Sequence, residues 1–178
     1  MIAPHVDVEV LEQMITNTGE SLLHYASKQP VLLIFLRPLG CTFCRESLAD
    51  ISARRSNIEG SGLMIIFVHI ADHQTAERYF ERYNLGGITN ISDPECRYYA
   101  AFGLVKGTFT QLFGLHSWIR GFNIGFVQGH GVGSMIGDGF QMPGVFIVQD
   151  GEIKEAFIHK LVSDRPDYEQ LVRNCCET

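Results

Sequence analysis

The chain has 178 residues, of which 46% are apolar, and it carries a formal net charge of −6. This length and composition predict one domain, residues 1–178, with a hydrophobic core of its own, and they exclude a disordered chain. The acidic balance, with no cluster of Lys and Arg, excludes nucleic acid as an expected partner.

The N-terminal segment predicts a soluble, cytoplasmic protein with no membrane partner. In MIAPHVDVEV, acidic residues stand where a signal peptide needs a basic start and an apolar run. The longest apolar runs elsewhere cover residues 31–36 and 63–68, far fewer than the roughly 20 residues that span a bilayer.

Residues 1–30 are predicted to form an N-terminal extension of one strand and one helix. HVDVEV alternates apolar and polar residues, which is typical of a half-exposed strand. GESLLHYASKQ then indicates a short helix that ends before Pro30.

The following segment predicts a βαβ unit. Residues 31–36 are few and uniformly apolar, as in a central strand buried on both faces. Residues 42–58 show a helical pattern, and Gly60 and Gly62 are expected to end that helix. Residues 63–70 are a second buried strand, which a right-handed crossover makes parallel to the first.

Three further elements are predicted before residue 105. Residues 75–83 indicate a helix, and NLGGITNIS a turn followed by a short strand. DPECRYYAAFGL predicts a helix with Asp93 as N-cap, Pro94 at the first helical position and Gly103 at its end. Residues 105–142 form an irregular stretch, and its GHGVGSMIG lacks the G-K-[ST] ending of a phosphate-binding loop.

The C-terminal part predicts a β-hairpin and a helix. GVFIV and EIKEAFIHKL flank Asp150-Gly151, a strong hairpin-turn signal, and RPDYEQLVRNCC indicates a terminal helix. A βαβ unit followed by a hairpin and a helix is the element order of a thioredoxin-like fold. We therefore expect an α/β domain with a mixed central sheet flanked by helices.

The motif Cys41-Thr-Phe-Cys44 lies between the first buried strand and its helix. Five cysteines cannot all pair, and a cytosolic C-x-x-C points to redox chemistry or to a metal. Residues three apart at a helix start share one side, so the two thiols can form a small disulfide ring. The helix N-terminus favours thiolate, as do Arg37 and Arg45. Gly40 and Thr42 beside the cysteines indicate a turn at the surface. Cys41 is the expected nucleophile and Cys44 the resolving thiol.

These residues resemble the peroxiredoxin-like branch of the AhpC/TSA group in the thioredoxin superfamily, and selenoprotein L is similar. The resemblance rests on RPLGCTFCRESLADIS, SDPECRYYAAFGL and PGVFIVQDGEI. It implies an antioxidant oxidoreductase without a cofactor, active at Cys41 and Cys44 on peroxides or protein disulfides and recycled by a thioredoxin- or glutathione-type reductant. It also implies that Pro143 follows a cis peptide bond and sits opposite the cysteines.

The peroxidase motif P-x-x-x-[ST]-x-x-C fits this chain in neither of two registers. With Cys44 as its last residue, Cys41 takes the hydroxyl position and Arg37 the Pro position. With Cys41 as its last residue, Pro38 takes the hydroxyl position. Dithiol-disulfide exchange is therefore better supported than peroxide reduction.

A non-enzymatic binding module, with a structural or zinc-binding C-x-x-C, is the alternative. His69 and His73 have metal-like spacing, but zinc usually requires a second cysteine pair, and we expect no metal. Cys96 is expected to pack inside a helix, whereas Cys175 and Cys176 near the terminus are candidates for an intermolecular bridge. A homodimer is among the assemblies that the sequence allows.

Overall fold

The computed structural model of this protein describes residues 5–108 and 139–176. Most of the predicted irregular stretch, including its glycine-rich loop, lies outside the described residues. In chain order the elements are α1 (Val8–Gln13), α2 (Leu22–Ala26), β1 (Val31–Phe35), α3 (Thr42–Gly60), β2 (Met64–His69), α4 (His73–Glu81), β3 (Asn90–Ser92), α5 (Arg97–Ala101), β4 (Gly144–Gln149), β5 (Glu152–Ile158) and α6 (Tyr168–Cys176).

The described strands form a five-stranded mixed sheet in the order β3-β2-β1-β4-β5, with β1 at its centre. β1 pairs in parallel with β2, and β2 in parallel with β3. β4 is antiparallel to both β1 and β5. This topology confirms the predicted thioredoxin-like α/β fold, with its parallel βαβ unit and its C-terminal hairpin.

Alternate residues of β1 pack into two hydrophobic cores, because successive side chains of a strand point to opposite faces. Leu32 and Ile34 pack with residues of α3, α4 and α6 on one face of the sheet. Val31, Leu33 and Phe35 pack with residues of α1, α2 and α5 on the other. Helices thus cover both faces, which explains why every residue of β1 is buried.

The strand predicted for HVDVEV is wrong, because this segment enters helix α1. The alternating valines suggested a strand, but Val8 is 49% exposed. The buried residues Leu11 and Met14 are instead three positions apart, a helical spacing, and they pack on the sheet. The helix predicted next is confirmed as α2, whose N-cap Ser21 accepts a hydrogen bond from His24 N.

The helices predicted after β1, β2 and β3 are present as α3, α4 and α5, with shifts at their ends. Gly62 and Gly103 have φ angles of 87° and 72° just after α3 and α5, a conformation that glycine adopts without strain. α4 begins at His73, two residues before the predicted start. The reason is that Asp72 caps the helix, accepting a hydrogen bond from Thr75 N at 2.8 Å.

The predicted start of α5 is partly wrong. The Asp93 carboxylate does cap the helix, because it accepts hydrogen bonds from Arg97 N and Tyr98 N. Pro94 is nevertheless outside the helix, which begins at Arg97. Residues 93–96 form a turn instead, in which Cys96 N donates to Asp93 O at 3.0 Å.

The predicted hairpin is confirmed in position. Asp150 and Gly151 have φ angles of 53° and 79°, as the two central residues of a type I′ turn require. β4 and β5 on either side pair in antiparallel register.

The buried His69 at the end of β2 links stability to pH. Its Nε2 lies 2.9 Å from Asn90 Oδ1, and its side chain is fully buried. Burial lowers the pKa of His69 from its ordinary value of 6.5, and the neighbouring His73 lowers it further. The folded protein therefore keeps this imidazole neutral at a pH where the unfolded chain protonates it.

Stability should consequently fall as the solution is acidified. The contribution of a neutral His69 is present above about pH 6.5 and is lost below it, where only the unfolded chain binds the proton. In urea titrations we expect a loss of up to about 1.4 kcal/mol per pH unit below that point. The His69→Phe protein should lose less over the same range. The partly exposed His24 gives the control, since His24→Gln should keep the original slope; equal slopes in all three proteins would contradict the expectation.

Candidate active site

The pairing of three neighbouring strands brings their ends to one edge of the sheet. Phe35 of β1 pairs with Gly144 of β4, and Gly144 pairs with Ile158 of β5. The end of β1, the start of β4 and the end of β5 therefore lie side by side. Helix α3 begins next to them, because a connection of only six residues separates it from β1.

A cavity at this edge is lined from all of these elements. Arg37 follows β1, Pro143 precedes β4, His159 follows β5, and Cys44 belongs to the first turn of α3. The space inside is about 20 Å³, enough for one water molecule. The cavity therefore brings together three residues that the sequence predicts for the site, Arg37, Cys44 and Pro143. It also includes His159, which the sequence does not predict.

The two motif cysteines differ in exposure, as the sequence predicts. Cys41 is the N-cap residue of α3 and is partly exposed, whereas Cys44 is the third helical residue and only 2% exposed. Both are free thiols. Cys41 packs against the hydrophobic core that contains Cys44, so the two side chains lie in one region of the protein.

The Cys44 thiol is held in its protonated form. Burial raises the pKa of Cys44 far above its ordinary value, and Cys41 nearby raises it further. The positive charges of Arg37 and Arg45 lower the pKa of this thiol but do not offset burial. Cys44 is thus a poor first nucleophile, while the N-cap position of Cys41 places its side chain at the positive end of the α3 dipole.

Arg37 is a buried cation with unused hydrogen-bond donors. It is 6% exposed, and its Nη2 donates to Gly139 O at 2.7 Å. Its Nε and Nη1 are buried and have no hydrogen-bond partner among the residues that the structure describes. Buried donors are normally satisfied, so a guanidinium in this state is suited to an anion that forms during a reaction. Arg37 lines the same cavity as Cys44 and lowers the pKa of that thiol.

A model of the AhpC/TSA family matches residues 3–156 of this chain. The chain belongs to the AhpC/TSA family. This membership confirms the predicted resemblance to peroxiredoxin-like proteins of the thioredoxin superfamily.

Two curated relatives are similar to this AhpC/TSA protein. The thioredoxin-like protein AAED1, chloroplastic, of Arabidopsis thaliana is 23% identical over 153 residues, which cover 82% of this chain and 61% of the relative. Peroxiredoxin-like 2A of Homo sapiens is 28% identical over 127 residues, which cover 70% of this chain and 52% of the relative. The chain thus spans between half and two thirds of the length of these relatives.

Solved structures support the same fold. Reduced Prx3 from Vibrio vulnificus matches with a TM-score of 0.66 at 15% identity, and the match covers 100% of both chains. At this identity the likeness shows the fold of the AhpC/TSA protein.

The remaining supporting residues of the motif lie near Cys44, but the expected surface turn is wrong. Gly40 has a φ of 93°, so a turn exists, yet Gly40 is buried and Thr42 is only 9% exposed. The connection from β1 runs beneath the surface, since every residue from 31 to 40 is buried. Arg45 is partly exposed, and its backbone N–H donates to Cys41 O at 3.1 Å.

The cis peptide bond expected before Pro143 is also wrong. No peptide bond within the described ranges is cis, so Met142-Pro143 is trans, the form that X-Pro bonds intrinsically favour. Pro143 still lines the cavity beside Cys44. A position of Pro143 opposite both cysteines stays a prediction, because Cys41 does not line this cavity.

A cluster of charged residues beside the cavity was not found from the sequence. Arg165 Nε donates to Asp50 Oδ2 at 2.7 Å, and its Nη2 donates to Asp50 Oδ1. Arg165 Nη1 also lies 3.8 Å from Glu46 Oε1. Glu46 and Asp50 lie one turn apart on α3, and both are largely buried. The sequence of this helix mixes charged and apolar residues and did not indicate that these two carboxylates are buried.

The Asp50 pair should stabilise the fold, because it joins α3 to the segment before α6. Removing one partner of a largely buried pair leaves the other charge uncompensated. Since Arg165 is 47% exposed, we expect Asp50→Asn to lower the free energy of unfolding by only about 1–3 kcal/mol. Glu59→Gln is the matched control. It breaks the exposed Arg55–Glu59 pair on the same helix and should cost less than about 1 kcal/mol. Equal losses in chemical denaturation would contradict this account.

The two histidines with metal-like spacing share a structural partner. His69 Nε2 and His73 Nδ1 lie 2.9 and 2.7 Å from the same Asn90 Oδ1. In the part of the chain that the structure describes, no three His, Cys, Asp or Glu side chains are grouped to hold a metal ion.

Of the other cysteines, Cys96 and Cys175 do not line this cavity. Cys96 is partly buried and packs against the core on the α5 face, but it lies in the turn before α5 and not inside the helix as expected. Cys175 packs against the opposite core, and an intermolecular bridge through Cys175 or Cys176 stays a prediction. Within residues 5–108 and 139–176, no helix combines the length and apolar character needed to cross a membrane.

Proposed function

We propose that this protein is a thiol-disulfide oxidoreductase that reduces a peroxide through the Cys41-Cys44 pair. The motif alone favours disulfide exchange, but membership of the AhpC/TSA family and the similarity to a peroxiredoxin-like protein favour a peroxide substrate. A thioredoxin- or glutathione-type thiol then restores both cysteines. The observation that carries the proposal is the unequal pair itself: a partly exposed thiol belongs to the N-cap residue of a long helix, and a buried thiol lies one turn away near the Arg37 guanidinium.

The first step is attack by Cys41. Its thiolate forms a bond to one peroxide oxygen while the O–O bond breaks, and the departing oxygen leaves as water or alcohol after taking a proton. Sulfur is oxidised to sulfenic acid as the peroxide is reduced. The exposure of Cys41 and its N-cap position at the positive end of the α3 dipole support this role.

Cys44 performs the second step. Its sulfur attacks Cys41 Sγ, water leaves, and a disulfide forms. Burial supports this order, because it protects Cys44 from reaction until its neighbour is oxidised. Two electrons from an external dithiol, or from two monothiols, then reduce the disulfide.

A protein disulfide is the second candidate substrate. It is favoured by the absence of a Ser or Thr three residues before either cysteine, where typical peroxiredoxins carry a hydroxyl. The same pair would then form a mixed disulfide at Cys41, which Cys44 resolves. A cytoplasmic location is part of the proposal, because the pair needs a reducing supply of thiols. A homodimer stays a prediction.

Thiol counting separates the two substrates. The fully reduced protein has five thiols, and we expect two to disappear when it meets a small excess of hydrogen peroxide. A protein with both Cys41 and Cys44 replaced by Ser should keep all of its remaining thiols under the same conditions. If the pair survives peroxide but is oxidised by a disulfide-bonded protein, the peroxide assignment is wrong and disulfide exchange is the activity.

A further inference from the structure

The proposed second step raises a problem of proton transfer. Cys44 must lose its proton before its sulfur can attack, yet the side chain is 2% exposed and burial favours the neutral thiol. Bulk water has little access to a thiol in that state. A proton acceptor inside the protein is therefore needed at the moment when the disulfide closes.

We propose that His159 accepts the Cys44 proton across one water molecule in the cavity that both residues line, as Cys44 closes the disulfide. The inference rests on the proposed function, because it concerns the resolving step of the same cysteine pair. His159 is 8% exposed and follows β5 at the sheet edge where Cys44 lies. Its ring meets that of Phe157 edge to face, with centroids 5.0 Å apart, which restricts its orientation.

The cavity has the size and the lining that such a relay needs. Its space of about 20 Å³ holds one water, and a buried water needs two to four polar partners. Cys44, His159 and the unused donors of Arg37 are polar groups of this lining. The guanidinium also lowers the pKa of Cys44, so it stabilises the thiolate once the proton has moved.

The other ionisable groups that face the cavity are less suited to accept this proton. They are Arg37 after β1, Glu46 and Asp50 on α3, Asp164 and Arg165 before α6, and Tyr168 on α6; Arg45 and Cys41 also act on Cys44 from α3 and its N-cap.

Most of these groups are already engaged. Asp50 is held by Arg165, and Glu46 lies near the same guanidinium. The Asp164 carboxylate accepts hydrogen bonds from two backbone N–H groups. Burial raises the pKa of Tyr168, which therefore stays protonated. An imidazole ordinarily changes charge between pH 5 and 8, so His159 is the best match to a proton taken at neutral pH.

The proton balance of the step is complete. The Cys44 S–H proton moves to His159, the Cys44 sulfur bonds to Cys41 Sγ, and the S–O bond of the sulfenic acid breaks. The protonated imidazole then gives its proton to the departing hydroxide, which leaves as water. With a protein disulfide as substrate, the same proton goes to the departing thiolate. His159 ends each turnover neutral.

The test follows disulfide closure in a single turnover between pH 5 and 9. Reduced protein is mixed with peroxide and quenched at intervals with an alkylating agent, and mass spectrometry measures the sulfenic acid and the disulfide separately. In the unsubstituted protein, the closure rate should rise with pH and then level off within the measured range, once the imidazole has lost its proton. In His159→Gln, closure at pH 7 should be about 100-fold slower and should keep rising about tenfold per pH unit. Sulfenic acid formation at Cys41 should not change.

Two further variants make the assignment specific. His24→Gln changes a partly exposed histidine in α2 and should leave both phases unchanged. Glu46→Gln removes the rival acceptor and should preserve the plateau. A plateau lost in Glu46→Gln but kept in His159→Gln would overturn the proposal.

The outcomes also separate this inference from the proposed function. If no oxidised Cys41 forms in the unsubstituted protein, the proposed function fails. If oxidation and closure proceed but His159→Gln closes at the original rate with the original pH profile, only the proton-transfer inference fails. If His159→Gln does not fold, the pH profile of the unsubstituted protein still tests the inference. A closure rate that rises without a plateau from pH 6 to 9 would contradict an imidazole acceptor.

Discussion

Replacing Cys41 by Ser should reduce peroxide-dependent turnover to the background rate, a loss of about 1,000-fold or more. A hydroxyl stays protonated at neutral pH, so the introduced serine supplies no anionic nucleophile at the N-cap of α3. Cys44 cannot take over at the same rate, since burial keeps its thiol protonated. The measurement is steady-state consumption of peroxide with a thioredoxin or glutathione system as reductant.

Cys96→Ser is the matched control for this loss. Cys96 is also a partly buried cysteine directly before a helix, but it precedes α5 and packs in the core on the other face of the sheet. Its replacement should change turnover by less than about twofold, as expected for a change distant from the reacting atoms. Full activity in Cys41→Ser would contradict the role of Cys41 as nucleophile.

Replacing Cys44 by Ser should have the second largest effect and should stop the reaction at a different point. Cys41 can still attack, because it lies at the helix end and its exposure does not depend on the Cys44 sulfur. Release then fails, since no resolving thiol is present one turn away. We expect steady-state turnover to fall by about 100-fold or more, with one oxidising equivalent consumed per chain.

The trapped species identifies the roles of the two thiols. Mass spectrometry of Cys44→Ser after oxidation should find a sulfenic acid or a mixed disulfide on Cys41. The complementary experiment uses Cys41→Ser, in which no adduct is expected on Cys44. An adduct on Cys44 in that protein, with none on Cys41 in Cys44→Ser, would exchange the two roles.

Local sequence signals were sufficient for much of the fold. Residues 31–35 form a buried strand because they are uniformly apolar, and Asp150-Gly151 forms a hairpin turn because both residues tolerate positive φ. The start of the chain shows the limit of such signals. Alternating valines looked like a strand, but Leu11 and Met14, which pack on the sheet, make this segment a helix.

The residues of the candidate site also fall into two groups: those that a local motif predicts and those that only the tertiary structure brings together. Cys41 and Cys44 could be found because a C-x-x-C motif at a strand-to-helix junction is a local pattern. The Asp50–Arg165 pair joins residues 115 positions apart, and His159 reaches the cavity only because β5 ends beside β4. No short stretch of sequence encodes these contacts, which depend on how the strands pair.

The central claim is that Cys41 and Cys44 form one redox pair, and disulfide mapping tests it most directly. Reduced protein is treated with one equivalent of hydrogen peroxide, its remaining thiols are alkylated, and the unreduced digest is analysed by mass spectrometry. The account predicts a peptide that contains both Cys41 and Cys44, unalkylated and two hydrogens lighter than its dithiol form, with Cys96, Cys175 and Cys176 alkylated. Alkylation of both Cys41 and Cys44 after the peroxide has been consumed, or a disulfide that joins either one to another cysteine, would contradict it.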